Sequence, residues 1–143
     1  MLTDLVIVVV EDNTLLREEM VSFLTRPGSV AHGVDCGEEL NEWLQSHTPD
    51  LLILDVNLPY EDGYSIAKRL RDSHPDIGII MLTARVRPSD RSQGYASGVD
   101  VYLTKPTHAD ELIAVIENFR RRLRPKLESD LRLEQQTREL VTI

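Results

Sequence analysis

The chain has 143 residues, 41% of them apolar, which is enough for one domain with a packed core. Its formal net charge of −8 argues against general binding of nucleic acid, whose backbone calls for clustered Lys and Arg. The single cysteine, Cys36, excludes an internal disulfide and a cysteine-based zinc site, and no run approaches the roughly twenty apolar residues that cross a bilayer. The opening Met1-Leu2-Thr3-Asp4 lacks the basic region of a signal peptide, so the expectation is a soluble, cytoplasmic protein with no membrane association.

Strand and helix patterns alternate along the chain. Residues 5–10, Leu-Val-Ile-Val-Val-Val, form an apolar run that stops at Glu11-Asp12 and read as a strand buried on both faces. Asn13 or Thr14 caps a helix whose inward face carries Leu15, Leu16, Met20, Phe23 and Leu24, and Pro27-Gly28 stops it. Residues 30–34 are a weaker strand. Gly37 precedes a helix with Leu40, Trp43 and Leu44, ended near Pro49. Residues 51–55 are the central strand, an apolar run ending at a second carboxylate, Asp55. A loop with Pro59 and Gly63 leads to a helix with Ile66, Ala67 and Leu70, stopped before Pro75. Residues 77–83 are a fourth strand. Residues 89–97 are a short polar helix with few apolar anchors, terminated at Gly98. Residues 101–104 are a fifth strand, and residues 109–123 a helix with Leu112, Val115, Ile116 and Phe119 inward. The basic cluster Arg120-Arg121-Arg122, with Arg124 and Lys126, reads as the solvated end of that helix, where cations suit the dipole.

Five such repeats with short connections imply one doubly wound parallel sheet covered by helices on both faces, in the flavodoxin-like order 2-1-3-4-5. That order sets the first and third strands side by side, so Glu11, Asp12 and Asp55 are expected to converge at the carboxyl edge, where open α/β sheets bind ligands. Carboxylates brought together repel unless a cation joins them, and Mg²⁺ suits an oxygen-only donor set. Asp12 and Asp55 would hold it directly, Glu11 through water, with the backbone carbonyl of Asn57 as a further oxygen. Asp55 is the candidate nucleophile, able to form an acyl phosphate, while Lys105 and Thr83 at the ends of the fifth and fourth strands would contact phosphoryl oxygens. Taken singly, Lys105 reads as a surface lysine and Thr83 as a β-branched strand residue. Their shared placement at strand ends is what favours a site.

The stretches Val9-Val10-Glu11-Asp12-Asn13, Leu54-Asp55-Val56-Asn57-Leu58-Pro59 with Gly63, Met81-Leu82-Thr83-Ala84 and Gly98 through Pro106 occur in that order. Over about residues 4–123 they make the chain similar to the receiver domains of two-component response regulators, which have the CheY-like form of the flavodoxin-like fold. The resemblance implies phosphorylation of Asp55 by a phosphohistidine on a sensor histidine kinase. It also implies a cis Lys105–Pro106 bond and Tyr102 as a switch aromatic that turns inward when Thr83 moves toward the phosphoryl group. A receiver is expected to gain and lose its own phosphoryl group and to catalyse nothing else.

Residues 1–123 are therefore expected to form the receiver, and 124–143 a linker with the possible start of a truncated output domain. The segment from Leu131 to Val141 resembles the first strands of a winged-helix domain, so DNA would be a partner only through an output domain missing from this chain. Relatives of that kind pair through the fourth helix, fifth strand and fifth helix. Arg91, Glu111 and Asp100 suit such a homodimer, whereas Ser97, Val101 and Val115 replace charged residues and Thr107 replaces a common Phe. A stand-alone receiver acting through protein partners is the competing reading. An aspartyl-nucleophile phosphatase ranks lower, because it wants a second acid two residues on, where Asn57 stands. A flavin-binding flavodoxin is excluded, because Glu11-Asp12 would repel the cofactor's phosphate.

Overall fold

A computed structural model describes residues 4–123. Within them β1 (Leu5–Val10), α1 (Thr14–Leu24), β2 (Ser29–Val34), α2 (Gly37–Leu44), β3 (Leu51–Leu54), α3 (Gly63–Ser73), β4 (Gly78–Thr83), α4 (Pro88–Ala96) and β5 (Val101–Thr104) follow one another, then a fifth helix, α5, over 109–123. All strands are parallel, in the order β2-β1-β3-β4-β5. The expected doubly wound α/β fold is what forms. Residues 4–107 make one compact unit holding the whole sheet, and α5 belongs to a second. The expected linker and output-domain start, 124–143, lie outside the described residues.

The continuous apolar runs become strands because both faces are covered. Every residue of β3 and β4 is buried, as in a parallel sheet that helices sandwich. Val8, Val10, Leu52, Leu54, Ile79 and Met81 share one core cluster with Leu40 of α2 and Ile66, Ala67 and Leu70 of α3. Each fully buried side chain of that size contributes about 1.5–3 kcal/mol by leaving water. Val9, Ile53 and Leu82, alternating with these, line a small void together with Met20 of α1. The edge strand β2 is buried only at Ser29 and Val34, which matches its weak apolar pattern.

Helix α1 departs from expectation. Met20 and Leu24 are buried, but Leu15 is 67% exposed and Phe23 38% exposed. Leu16, Met20 and Leu24 lie at i, i+4, i+8 and form the inward ridge, while Leu15 and Phe23 sit on the neighbouring ridge. The Phe23 ring instead lies 5.6 Å from the guanidinium of Arg26. The choice of cap resolves to Asn13, whose side chain accepts from the Leu16 N–H at 2.9 Å. Strand bounds differ from expectation by one residue at the start of β2 and β4 and at the end of β3. In α5, Leu112, Ile116 and Phe119 are buried as expected, and Val115 is half-buried. The Arg122 guanidinium lies 4.4 Å from the Phe119 ring.

Candidate functional site

The sheet register builds the site. Val10 is opposite Leu54, and the next residue of each strand's exit is an acid, Glu11 after β1 and Asp55 after β3. The Asp55 N–H donates to the Val10 carbonyl at 3.3 Å and the Glu11 N–H to that of Val34 at 3.1 Å, so both backbones remain tied to the sheet edge. Thr83 is opposite Thr104, and the Lys105 N–H donates to the Thr83 carbonyl at 2.7 Å. The Lys105–Pro106 peptide is cis.

The chain immediately after β5 then reaches back across the edge. Lys105 Nζ donates to Glu11 Oε1 at 2.6 Å and to Asp55 Oδ2 at 2.8 Å. Both carboxylates are buried, so their neutralisation is obligatory rather than decorative. Burial pulls the Lys105 ammonium toward a lower pKa, but hydrogen bonds and charge from Asp55 and Glu11 outweigh it, and the net shift is upward from 10.5. The remaining oxygens are also engaged. Asp55 Oδ1 accepts from the Asn57 N–H and Glu11 Oε2 from the Asn13 N–H, each at 3.3 Å. The start of α3 comes close to this point. A Cβ on Gly63 would collide with the Asp55 carbonyl, so only glycine permits the Gly63 N–H to reach the Val56 carbonyl at 2.9 Å.

Glu11, Asp55 and Lys105 are thus brought together. Asp12 is exposed, and no group of three or more acidic, His or Cys side chains among the described residues is arranged to hold a metal. Of the three expected carboxylates, Glu11 and Asp55 are the two that Lys105 joins. The Lys105 ammonium supplies positive charge that this buried pair requires. The donor set itself consists only of carboxylate and carbonyl oxygens, which fits a hard cation such as Mg²⁺.

A second group stands beside the first. Thr83 is fully buried, and its hydroxyl accepts from the Arg85 N–H at 3.4 Å. Tyr102 is turned inward, 2% exposed, and donates its hydroxyl to the Arg85 carbonyl at 2.9 Å. Burial and the neighbouring Tyr64 hydroxyl push the Tyr102 phenol well above its ordinary pKa of 10.0. Arg85 was not foreseen from sequence. Its Nε donates to Asn57 Oδ1 at 2.9 Å and its NH1 lies 3.8 Å from Asp90 of α4, so one side chain spans the β3–α3 loop and α4. Tyr64, also unforeseen, donates to the Asp90 carbonyl at 3.1 Å. No local motif marks either residue.

A profile of the response regulator receiver domain matches residues 7–117. The chain belongs to that family. The receiver is 40% identical to the virulence transcriptional regulatory protein PhoP of Salmonella typhimurium over 119 residues, covering 81% of this chain and 52% of PhoP. It therefore spans about half the length of the curated relatives it matches. Among solved structures, the receiver domain of Francisella response regulator 1452 superposes with a TM-score of 0.76 at 27% identity, covering 83% of this chain and 98% of that one. DrrB of Thermotoga maritima, an OmpR/PhoB homologue, gives 0.74 at 26% identity, with 85% and 54% covered. As a response-regulator receiver the molecule is a signalling switch, and no helix among its described residues is long and apolar enough to cross a membrane.

Proposed function

We propose that this receiver accepts a phosphoryl group on Asp55 from a phosphohistidine of a sensor histidine kinase and passes the change to Thr83, Tyr102 and α4. The observation that carries the reading is a single ammonium, Lys105, holding two buried carboxylates at the carboxyl edge of the sheet. In the transfer, an Asp55 carboxylate oxygen attacks phosphorus, the phosphorus–nitrogen bond to the donor imidazole breaks, and its electron pair returns to that nitrogen. Lys105 then pairs with the new phosphoryl oxygens rather than with Asp55 alone. Bound Mg²⁺, held by Glu11, Asp12, Asp55 and the Asn57 carbonyl, would neutralise charge on the phosphoryl oxygens.

Phosphorylation adds about 1.5–2 negative charges and three acceptor oxygens. Thr83 offers its hydroxyl to one of them, and the inward Tyr102 occupies the space beside it. The receiver gains and loses its own phosphoryl group and turns over no other substrate. Asn57, two residues past Asp55, supplies no second acid, and its side chain is bound to Arg85. Likeness to PhoP favours a transcriptional output exerted on DNA by a separate output domain, with residues 1–123 as the receiver and 124–143 leading into that domain. Pairing of two copies is favoured by Arg91 and Glu111, a base and an acid where such relatives carry them. A cytoplasmic location follows from the same reading. A receiver that acts only through protein partners is the second reading.

The test is mass spectrometry after incubation with acetyl phosphate and magnesium. Wild type gains one phosphoryl group and Asp55→Asn gains none. Modification of the variant to the same extent would overturn the assignment, and steady turnover of an unrelated phosphoester would favour the phosphatase instead.

A further inference from the structure

Gly94 lies inside α4, where glycine is among the poorest residues for a helix. Its backbone is ordinary helix, so no unusual conformation calls for it. What glycine supplies is room. A Cβ at this position would stand 2.7 Å from Cδ2 and 3.0 Å from Cε2 of Tyr102, closer than packed carbons approach.

The ring has little freedom to yield. Its hydroxyl is held by the Arg85 carbonyl, its backbone N–H donates to the Tyr95 hydroxyl at 3.3 Å, and the Arg91 guanidinium lies 5.3 Å from its centroid. The helix is pinned at the same point. The Gly94 carbonyl accepts from the Ser97 hydroxyl at 2.7 Å, the Ser97 N–H at 3.1 Å and the Val99 N–H at 3.3 Å. Withdrawal of either side would stretch these bonds, and packed side chains move between discrete rotamers rather than by small slides.

We propose that the bare Cα of Gly94 is the seat on which Tyr102 lies when turned inward, making this glycine a positioning residue of the switch. With any side chain at 94, the aromatic stays outside even when Asp55 is phosphorylated. The inference rests on the reading of Thr83 and Tyr102 as the switch pair.

The experiment uses the full chain labelled with fluorotyrosine, so that its four tyrosines give separate resonances and Tyr102 is assigned by its loss in Tyr102→Phe. Protection from a dissolved paramagnet is read with and without acetyl phosphate and magnesium. Gly94→Ala should gain one phosphoryl group by mass, as wild type does, yet show Tyr102 at least about five-fold less protected in both states. Protection equal to wild type overturns the proposal. The Tyr102→Ala background separates a seat from a merely structural role. There the added methyl meets no ring, and helix propensity should raise Tm by about 3 °C, whereas beside Tyr102 the same change lowers it. The same sign in both backgrounds also overturns the seat. If wild-type Tyr102 is unmoved by phosphorylation, the switch reading fails, and the ring position in Gly94→Ala still decides the seat.

Discussion

Charge holds the β1–β3 part of the carboxyl edge, and packing of one aromatic ring holds the β4–β5–α4 part. At the first, Glu11 and Asp55 are clamped by a lysine delivered from the end of β5. At the second, Tyr102 sits against a bare glycine, under an arginine, with its hydroxyl on a loop carbonyl. Helix α4 contributes no fully buried side chain of its own, Gly94 alone among its residues being buried. The difference separates two tasks. An ion pair can exchange one oxyanion for another without leaving its place, which suits the chemistry of accepting a phosphoryl group. A buried ring beside a lightly anchored helix is the kind of packing that can take a second arrangement, which suits the proposed transmission.

The comparison breaks most completely at Asp55. Its replacement by Asn should abolish phosphoryl gain by mass while Tyr102 stays as protected as in the unmodified wild type. Next in size, Lys105→Ala leaves two buried carboxylates facing each other, and should lower stability by about 2 kcal/mol in urea denaturation at pH 7. The pH dependence has a definite sign. The folded pKa of Lys105 is raised, so its contribution is complete below the unfolded value of about 10.5 and is lost as pH rises through the higher folded one. The gap between wild type and Lys105→Ala should therefore hold steady from neutral pH to about 10 and close above 10.5.

On the aromatic side, Tyr102→Phe removes one hydrogen bond and should cost about 1 kcal/mol with the fold retained by circular dichroism. A cost as large as that of Lys105→Ala would show that the two regions are not held differently. The smallest effect concerns Glu61, whose two carboxylate oxygens receive Arg69 Nε and NH2, each at 3.0 Å. Burial raises its pKa, but Arg69 and Ser65 outweigh that, and the net value lies below 4.5. The pair thus stabilises above pH 4.5 and fades as pH falls through the lower folded value, and Glu61→Gln should cost under about 1 kcal/mol at pH 7.

Which residues act together was only partly legible in the sequence. Apolar runs that stop at Glu11 and Asp55 announce buried strands and an acidic edge, because a parallel strand covered on both faces has no polar alternation to disguise it. The inward face of α1 was less legible. Leu15 and Leu16 are equally apolar neighbours, and only the sheet beneath the helix selects the ridge of Leu16, Met20 and Leu24. The acidic edge is a related case. Its need for positive charge is visible in the residues, but which cation meets it depends on where Lys105 lands, 50 residues after Asp55.

The alternation of strands and helices and the acids that end β1 and β3 follow from local pattern alone, since hydrophobic period and strand-end chemistry are properties of neighbouring residues. The roles of Arg85, Tyr64 and Gly94 do not. Each is defined by an atom from another element, the Asn57 side chain, the Asp90 carbonyl or the Tyr102 ring, and such meetings exist only once the chain has closed on itself.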